Sequence, residues 1–240
     1  MPAEGPLFLC LRPPRLCGKT PTPAIIASVT NYKIINHQIS QESPMKKSLI
    51  AFGVALILTA PAAHAQTTTW QLDPNHSNAQ FSARHLGISN VQGEFTKVTG
   101  TVQLDDQDIS KSTVTASIDV ASLDTRVQNR DNDLKSDHFF DAAKFPTITF
   151  QSTKIQKTGD DTSKMTGNLT LHGVTKEVTF DVTGPTKAIQ VMGTRRGASA
   201  TTKINRQDFG MVYMSNTLPG GDQMIGDTVT ITLDIEMVTK

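Results

Sequence analysis

Beyond residue 66, nearly every segment of this chain alternates apolar and polar side chains with a period of two. A strand points successive side chains to opposite faces, so this rhythm selects half-buried β-strands over helices. The last segment, TVTITLDIEM, is the clearest: Val229, Ile231, Leu233, Ile235 and Met237 share one face, while Thr228, Thr230, Thr232, Asp234 and Glu236 share the other. Val114, Ala116, Ile118 and Val120 form a second apolar row, and Met165, Gly167, Leu169 and Leu171 a third. Val178, Phe180 and Val182 give a fourth, Ala198, Ala200, Thr202 and Ile204 a row of mostly small residues, and Ile148 and Phe150 begin another. In SNAQFSARHLG, the residues Ser77, Ala79, Phe81, Ala83 and His85 fall together, so that a histidine ends an apolar row. Parity slips between Phe95 and Val98, which predicts a bulge there. Turn residues such as Asp105-Asp106, His172-Gly173 and Pro219-Gly220-Gly221 separate the rows. About eight or nine strands punctuated this way predict an antiparallel barrel or sandwich.

One region breaks the rhythm. NRDNDLKSDHFFDAAK, residues 129–144, is polar at first and then carries Leu134, Phe139 and Phe140, which predicts a short helical crossover. Phe145-Pro146 then forces an extended chain into the next strand. A connection of this length with paired phenylalanines suits a cover over a barrel mouth. Its carboxylates Asp131, Asp133, Asp137 and Asp141, interleaved with Arg130 and Lys135, read as a solvated face with local caps.

The first quarter of the chain follows different rules. From Met45 it reads MKKSLIAFGVALILTAPAAHA: a positive start at Lys46 and Lys47, an apolar run over residues 49–60, then Ala63-His64-Ala65. That is the layout of a secretory signal peptide cleaved after Ala65, and the run is short of the about 20 apolar residues a membrane span needs. Residues 1–44 are proline-rich and without periodicity, as a disordered extension or a start assigned upstream of Met45 would be. The expected mature domain, residues 66–240, carries 17 Lys and Arg against 20 Asp and Glu, a net charge of −3. That balance offers no basic stripe for nucleic acid. Both cysteines, Cys10 and Cys17, lie upstream, so the mature domain has neither disulfides nor thiol chemistry.

Eight antiparallel strands close into a barrel that either fills itself with side chains or holds one small ligand. Ala79, Ala83, Ala116, Gly167, Ala198 and Ala200 on inward rows leave space, yet small residues also line two closely approaching sheets, and the residues alone leave both readings open. A cavity here is apolar, and burying about ten methylenes in it is worth roughly 8 kcal/mol, on the order of micromolar binding. The four mature histidines, His76, His85, His138 and His172, lack the local spacing of a metal site. His172 reads as a solvated turn residue. No nucleophile elbow, zinc helix or phosphate-cradling glycine loop occurs. Met211, Met214 and Met224 in the last long loop read as an adaptable apolar mouth.

The stretches DPNHSNAQFSARHLG, GEF, RDNDLKSDHFFDAAKFPTITF, GNLTLHGVTKEVTF, INRQDFG and GDTVTITLDIE resemble, in order, the YceI-like family over about residues 69 to 238. The resemblance implies an all-β fold, an antiparallel eight-stranded lipocalin-like barrel, exported to the periplasm. It further implies non-enzymatic binding of a polyisoprenoid, such as a polyprenyl phosphate or an isoprenoid quinone, without cofactor or metal, and in some members a link to stress. Phe81, His85, Phe95, Leu134, Phe139, Phe140, Phe150 and Leu171 are the expected ligand-binding residues, with His85 touching the polar end of the lipid. His85 bonded within the fold is the competing role. Arg130-Asp131 and Arg206-Asp208 tie down loops under the same resemblance. A redox accessory of a membrane cytochrome or quinone system and a lipid-modifying enzyme stay open beside the carrier, as do transient membrane contact and pairing of two barrels.

Overall fold

The computed structural model describes residues 66–239. The expected signal peptide and the extension before it lie outside the described residues. Twelve strands and one helix follow in chain order: β1 (Thr67–Leu72), β2 (Asn78–His85), β3 (Ser89–Phe95), β4 (Val98–Asp105), β5 (Thr113–Asp119), β6 (Leu123–Asp124), α1 (Gln128–Lys135), β7 (Thr147–Lys157), β8 (Thr162–Leu171), β9 (Val174–Thr183), β10 (Ile189–Gln190), β11 (Thr194–Asn205) and β12 (Ile225–Thr239).

The strands form a closed antiparallel meander. β12 pairs with β11 on one side, Thr194 against Thr239 through Asn205 against Thr228. Its other edge is shared end to end by β1 and β2, which act as one strand broken at residues 73–77. β3 and β4 pair with β2 and β1 in the same way. The circuit then runs through β5, β7, β8 and β9 back to β11, giving an eight-stranded barrel. The fold expectation therefore holds, including the break at Thr96 and Lys97 that lets both Phe95 and Val98 turn inward, 5% and 2% exposed.

Each inward row comes from the period-two pattern. In β8, Ser163, Met165, Gly167, Leu169 and Leu171 are buried and alternate with exposed or half-buried partners. Val229, Ile231, Leu233 and Ile235 of β12 belong to the inward row but stay half-buried. What they face is open space rather than packed protein, and all four border the cavity.

The barrel has two unlike ends. At the end carrying the chain termini of the domain, Trp70 and Leu104, each 2% exposed, form a floor under the 3₁₀ turn Ile109–Lys111. Arg196 stacks on the Trp70 ring at 5.2 Å and donates to Asp106 Oδ1 at 2.7 Å. The opposite end carries the helical crossover, the β2–β3 turn and the long loop between β11 and β12. Here Arg206, 3% exposed, is the fastener. It donates to the carbonyls of Met211 (2.6 Å), Tyr213 (2.8 Å), Ile225 (3.0 Å) and Gly226 (3.2 Å), and so holds the loop against the start of β12.

Candidate functional site

The barrel encloses a cavity of about 600 Å³ that runs from Arg84, His85 and Ser89 at the crossover end to Ser112, Ser163 and Pro185 near the floor. Its wall is overwhelmingly aliphatic and aromatic, because strand after strand turns the apolar half of its alternation inward. All eight residues singled out from the sequence, Phe81, His85, Phe95, Leu134, Phe139, Phe140, Phe150 and Leu171, stand on this wall.

Their placement differs in kind. Phe81, Phe95 and Phe140 meet in a trio with ring centroids 5.5 to 6.3 Å apart. Phe150 packs edge-on against Phe180 at 5.4 Å, deeper in the barrel. Phe139 is buried under Tyr213, which also stacks on His138 at 4.2 Å. His85 is exposed at the end of β2, on the rim of the cavity rather than inside it.

The crossover is held over the barrel by a buried polar knot. Asp131 Oδ1 accepts from the backbone N–H of Thr125 (2.8 Å) and from its hydroxyl (2.6 Å). Arg130 donates to the Thr125 hydroxyl and carbonyl, both at 2.8 Å. Asp131 is 7% exposed, so it belongs to the fold and not to the solvated face its charged neighbours suggest. As an acidic residue in the first turn of α1, Asp131 also lies at the end of the helix where the dipole favours negative charge. His172 likewise departs from expectation: it is half-buried, its Nδ1 lies 3.1 Å from the Phe209 carbonyl, and its ring packs on Phe145 at 4.8 Å.

Several wall residues escaped the sequence reading, and two show why. Ile155 sits past a register shift between Ser152 and Lys154, so its parity opposes that of Phe150. The same kind of slip that marked Phe95 and Val98 was the available signal. Ile109 lies in a 3₁₀ turn, where no periodic pattern reveals an inward side chain.

Among the described residues, one group of metal-ligating side chains converges: Asp73, His76 and Glu236, with ligand atoms within 4.8 Å of one another. A cation already sits there. Arg195 Nη1 donates to Asp73 Oδ2 at 2.8 Å and to Glu236 Oε1, while His76 Nδ1 lies 3.0 Å from Asp73 Oδ2. The Arg195 hydrogen bond, with those of His76 and the Asn75 N–H, holds the Asp73 carboxyl well below the usual carboxylate range. The same two carboxylates push Arg195 up. This group clasps the β1–β2 break to β11 and β12 outside the cavity. His85 and His138 take no part in it.

A closed antiparallel barrel around an apolar cavity, covered at one end by a helical crossover, places the chain in the class of small β-barrels whose interior has space for one small molecule. Residues 70–237 match the YceI-like domain, and the chain belongs to that family. Protein YceI of Salmonella arizonae is 38% identical over 167 residues, covering 69% of this chain and 87% of its relative. The crystal structure of the Campylobacter jejuni YCEI protein is similar at 31% identity and a TM-score of 0.56, over 65% of this chain and 90% of that one. A polyisoprenoid binding domain from Saccharophagus degradans, implicated in plant cell wall breakdown, shares the fold at 17% identity and a TM-score of 0.54, over 71% of this chain and 98% of that one.

Proposed function

We propose that this protein is an exported, non-enzymatic carrier of a single-chain apolar lipid, a polyisoprenoid of the polyprenyl phosphate or isoprenoid quinone kind. The observation that carries the reading is the shape of the cavity. Its wall follows β12 from Ile225 to Met237. Twelve strand steps of about 3.3 Å, tilted by about 40° to the barrel axis, make a length of roughly 30 Å. A cavity of about 600 Å³ drawn out over that length is an elongated tunnel rather than a rounded hollow, the form that suits one extended chain. One extended prenyl chain fits along such a path.

The lining supports binding rather than turnover. The titratable side chains on the wall are at the rim or committed to fastening: Arg130 to Thr125, Arg206 to the loop carbonyls. The polyisoprenoid named for the Saccharophagus domain, which has the same fold, fits the same shape. Export to the periplasm rests on the signal-peptide pattern before Gln66.

The test is mass spectrometry of organic extracts from protein isolated out of the periplasmic fraction without detergent. The expected result is a stoichiometric prenyl lipid on a chain whose first residue is Gln66. Repeated preparations without lipid, joined to failure of the purified protein to take up a prenol, overturn the carrier reading. A chain that retains residues 45–65 overturns the export reading.

A further inference from the structure

The large apolar side chains that the described residues leave exposed fall into two groups at opposite ends of the barrel. Ile189, Val191 and Met192 lie on the β10–β11 hairpin at the floor end. Ile88 (76% exposed), Val127 (46%), Val212 (59%) and Tyr213 (36%) belong to the loops that frame the cavity mouth. Those loops form one rim. The backbone N–H of Leu86 donates to the Met224 carbonyl at 3.0 Å, so the β2–β3 turn carrying Ile88 is joined to the β11–β12 loop carrying Val212. Tyr213 stacks on His138 of the crossover, whose helix begins just after Val127.

We propose that this rim docks on the surface of a lipid bilayer, so that the ligand passes between membrane and cavity without crossing water. The inference rests on the carrier reading above and names the surface through which it works. Two features of the rim match a bilayer. Its apolar residues are continuous with the apolar wall, through Phe139 under Tyr213 and through Met211 and Met214, which line the cavity on either side of Val212. Its exposed cations stand beside the apolar anchors: Arg126 precedes Val127, and Arg84 donates to the Gly87 carbonyl at 2.7 Å, one residue before Ile88. Apolar side chains entering the interface while neighbouring arginines reach head-group phosphates is the arrangement of peripheral membrane contacts, and tyrosine is favoured at that depth. Asp137 and Asp222 lie exposed at the same end, so the rim is not basic overall and the apolar residues carry most of the attachment. The floor-end hairpin faces away from the mouth and serves as the internal control.

The experiment compares the full mature chain with Ile88→Ser/Val127→Ser/Val212→Ser and with Val191→Ser/Met192→Ser. Two readouts are taken: co-flotation with vesicles of phosphatidylethanolamine containing a minority of phosphatidylglycerol, and transfer of a fluorescent prenol from loaded protein to those vesicles. Serine suits the helix-capping position of Val127, so the rim variant keeps its fold. Uptake of the prenol from dilute ethanol checks its cavity. The rim variant is expected to lose about tenfold in both vesicle readouts, as removal of three exposed apolar groups implies, while keeping prenol uptake. The hairpin variant is expected to match the wild type. Unchanged flotation and transfer in the rim variant, equal loss in the hairpin variant, or no flotation of the wild type overturns the docking proposal. A wild type that takes up no prenol at all instead overturns the carrier reading beneath it.

Discussion

At the scale of single residues, the charged groups act as fasteners. Arg206 is almost wholly buried and spends its donors on backbone carbonyls of one loop and of the start of β12, a task lysine's three donors on a flexible stem cannot match. Asp73 works through its charge. Because Arg195, His76 and the Asn75 N–H lower its folded pKa, it contributes stability in full above the unfolded value of about 3.9, and that contribution is lost progressively as pH falls below this value toward the lower folded one. Asp73→Asn is therefore expected to melt below the wild type near neutral pH, with the gap closing below about pH 4. Melting temperatures across an acid series measure it, and a gap that stays constant down to acid counts against the clasp. The sequence offered DPNHS as a motif here but not its partners, since Arg195 and Glu236 lie 122 and 41 positions from the residues they join.

At the scale of elements, alternation located the strands and their inward rows, and small residues in those rows have specific seats. Gly167 is an instance. A Cβ built there stands 2.5 Å from Phe150 Cζ and presses on the Gln151 carbonyl. The glycine lets the Phe150 ring lie back against the wall, where it meets Phe180. Gly167→Ala is expected to push that ring into the cavity, lowering stability by about 1–3 kcal/mol and reducing prenol uptake. Urea denaturation and a prenol titration check it, and unchanged stability contradicts the seating. The helical crossover was legible as an interruption of the rhythm. Its buried Asp131 was not, because burial there depends on Thr125 returning against the helix start, a contact that charge patterning does not encode.

At the scale of the whole molecule, closure of the meander and the cavity are one event. Pairing of β11 with β12, and of β12 with β1 and β2, removes the edges of the central sheet and curves its apolar face around a lumen. Val229 and Leu233 are half-buried because they face that lumen, so larger side chains have space to enter it. Val229→Phe/Leu233→Phe is expected to fold normally and lose at least about tenfold in prenol affinity, since the rings occupy the path of the chain. Thermal melts with titration by a fluorescent prenol separate the two effects. Full retention of binding by a folded variant argues that the lipid lies elsewhere.

The order of residues alone determined the strand class, the inward faces, the irregularity after Phe95, the place of the crossover and the aromatic residues on the wall. Each of these follows from local periodicity or local backbone chemistry. Only the tertiary structure decided whether small inward residues made a lumen or two pressed sheets, because that depends on barrel closure by strands far apart in the chain. It also decided that His85 stands on the rim, that Ile109 and Ile155 belong to the wall, that Asp73 is a fastener, and which carbonyls Arg206 ties together. Those roles come from partners that neither periodicity nor spacing brings together.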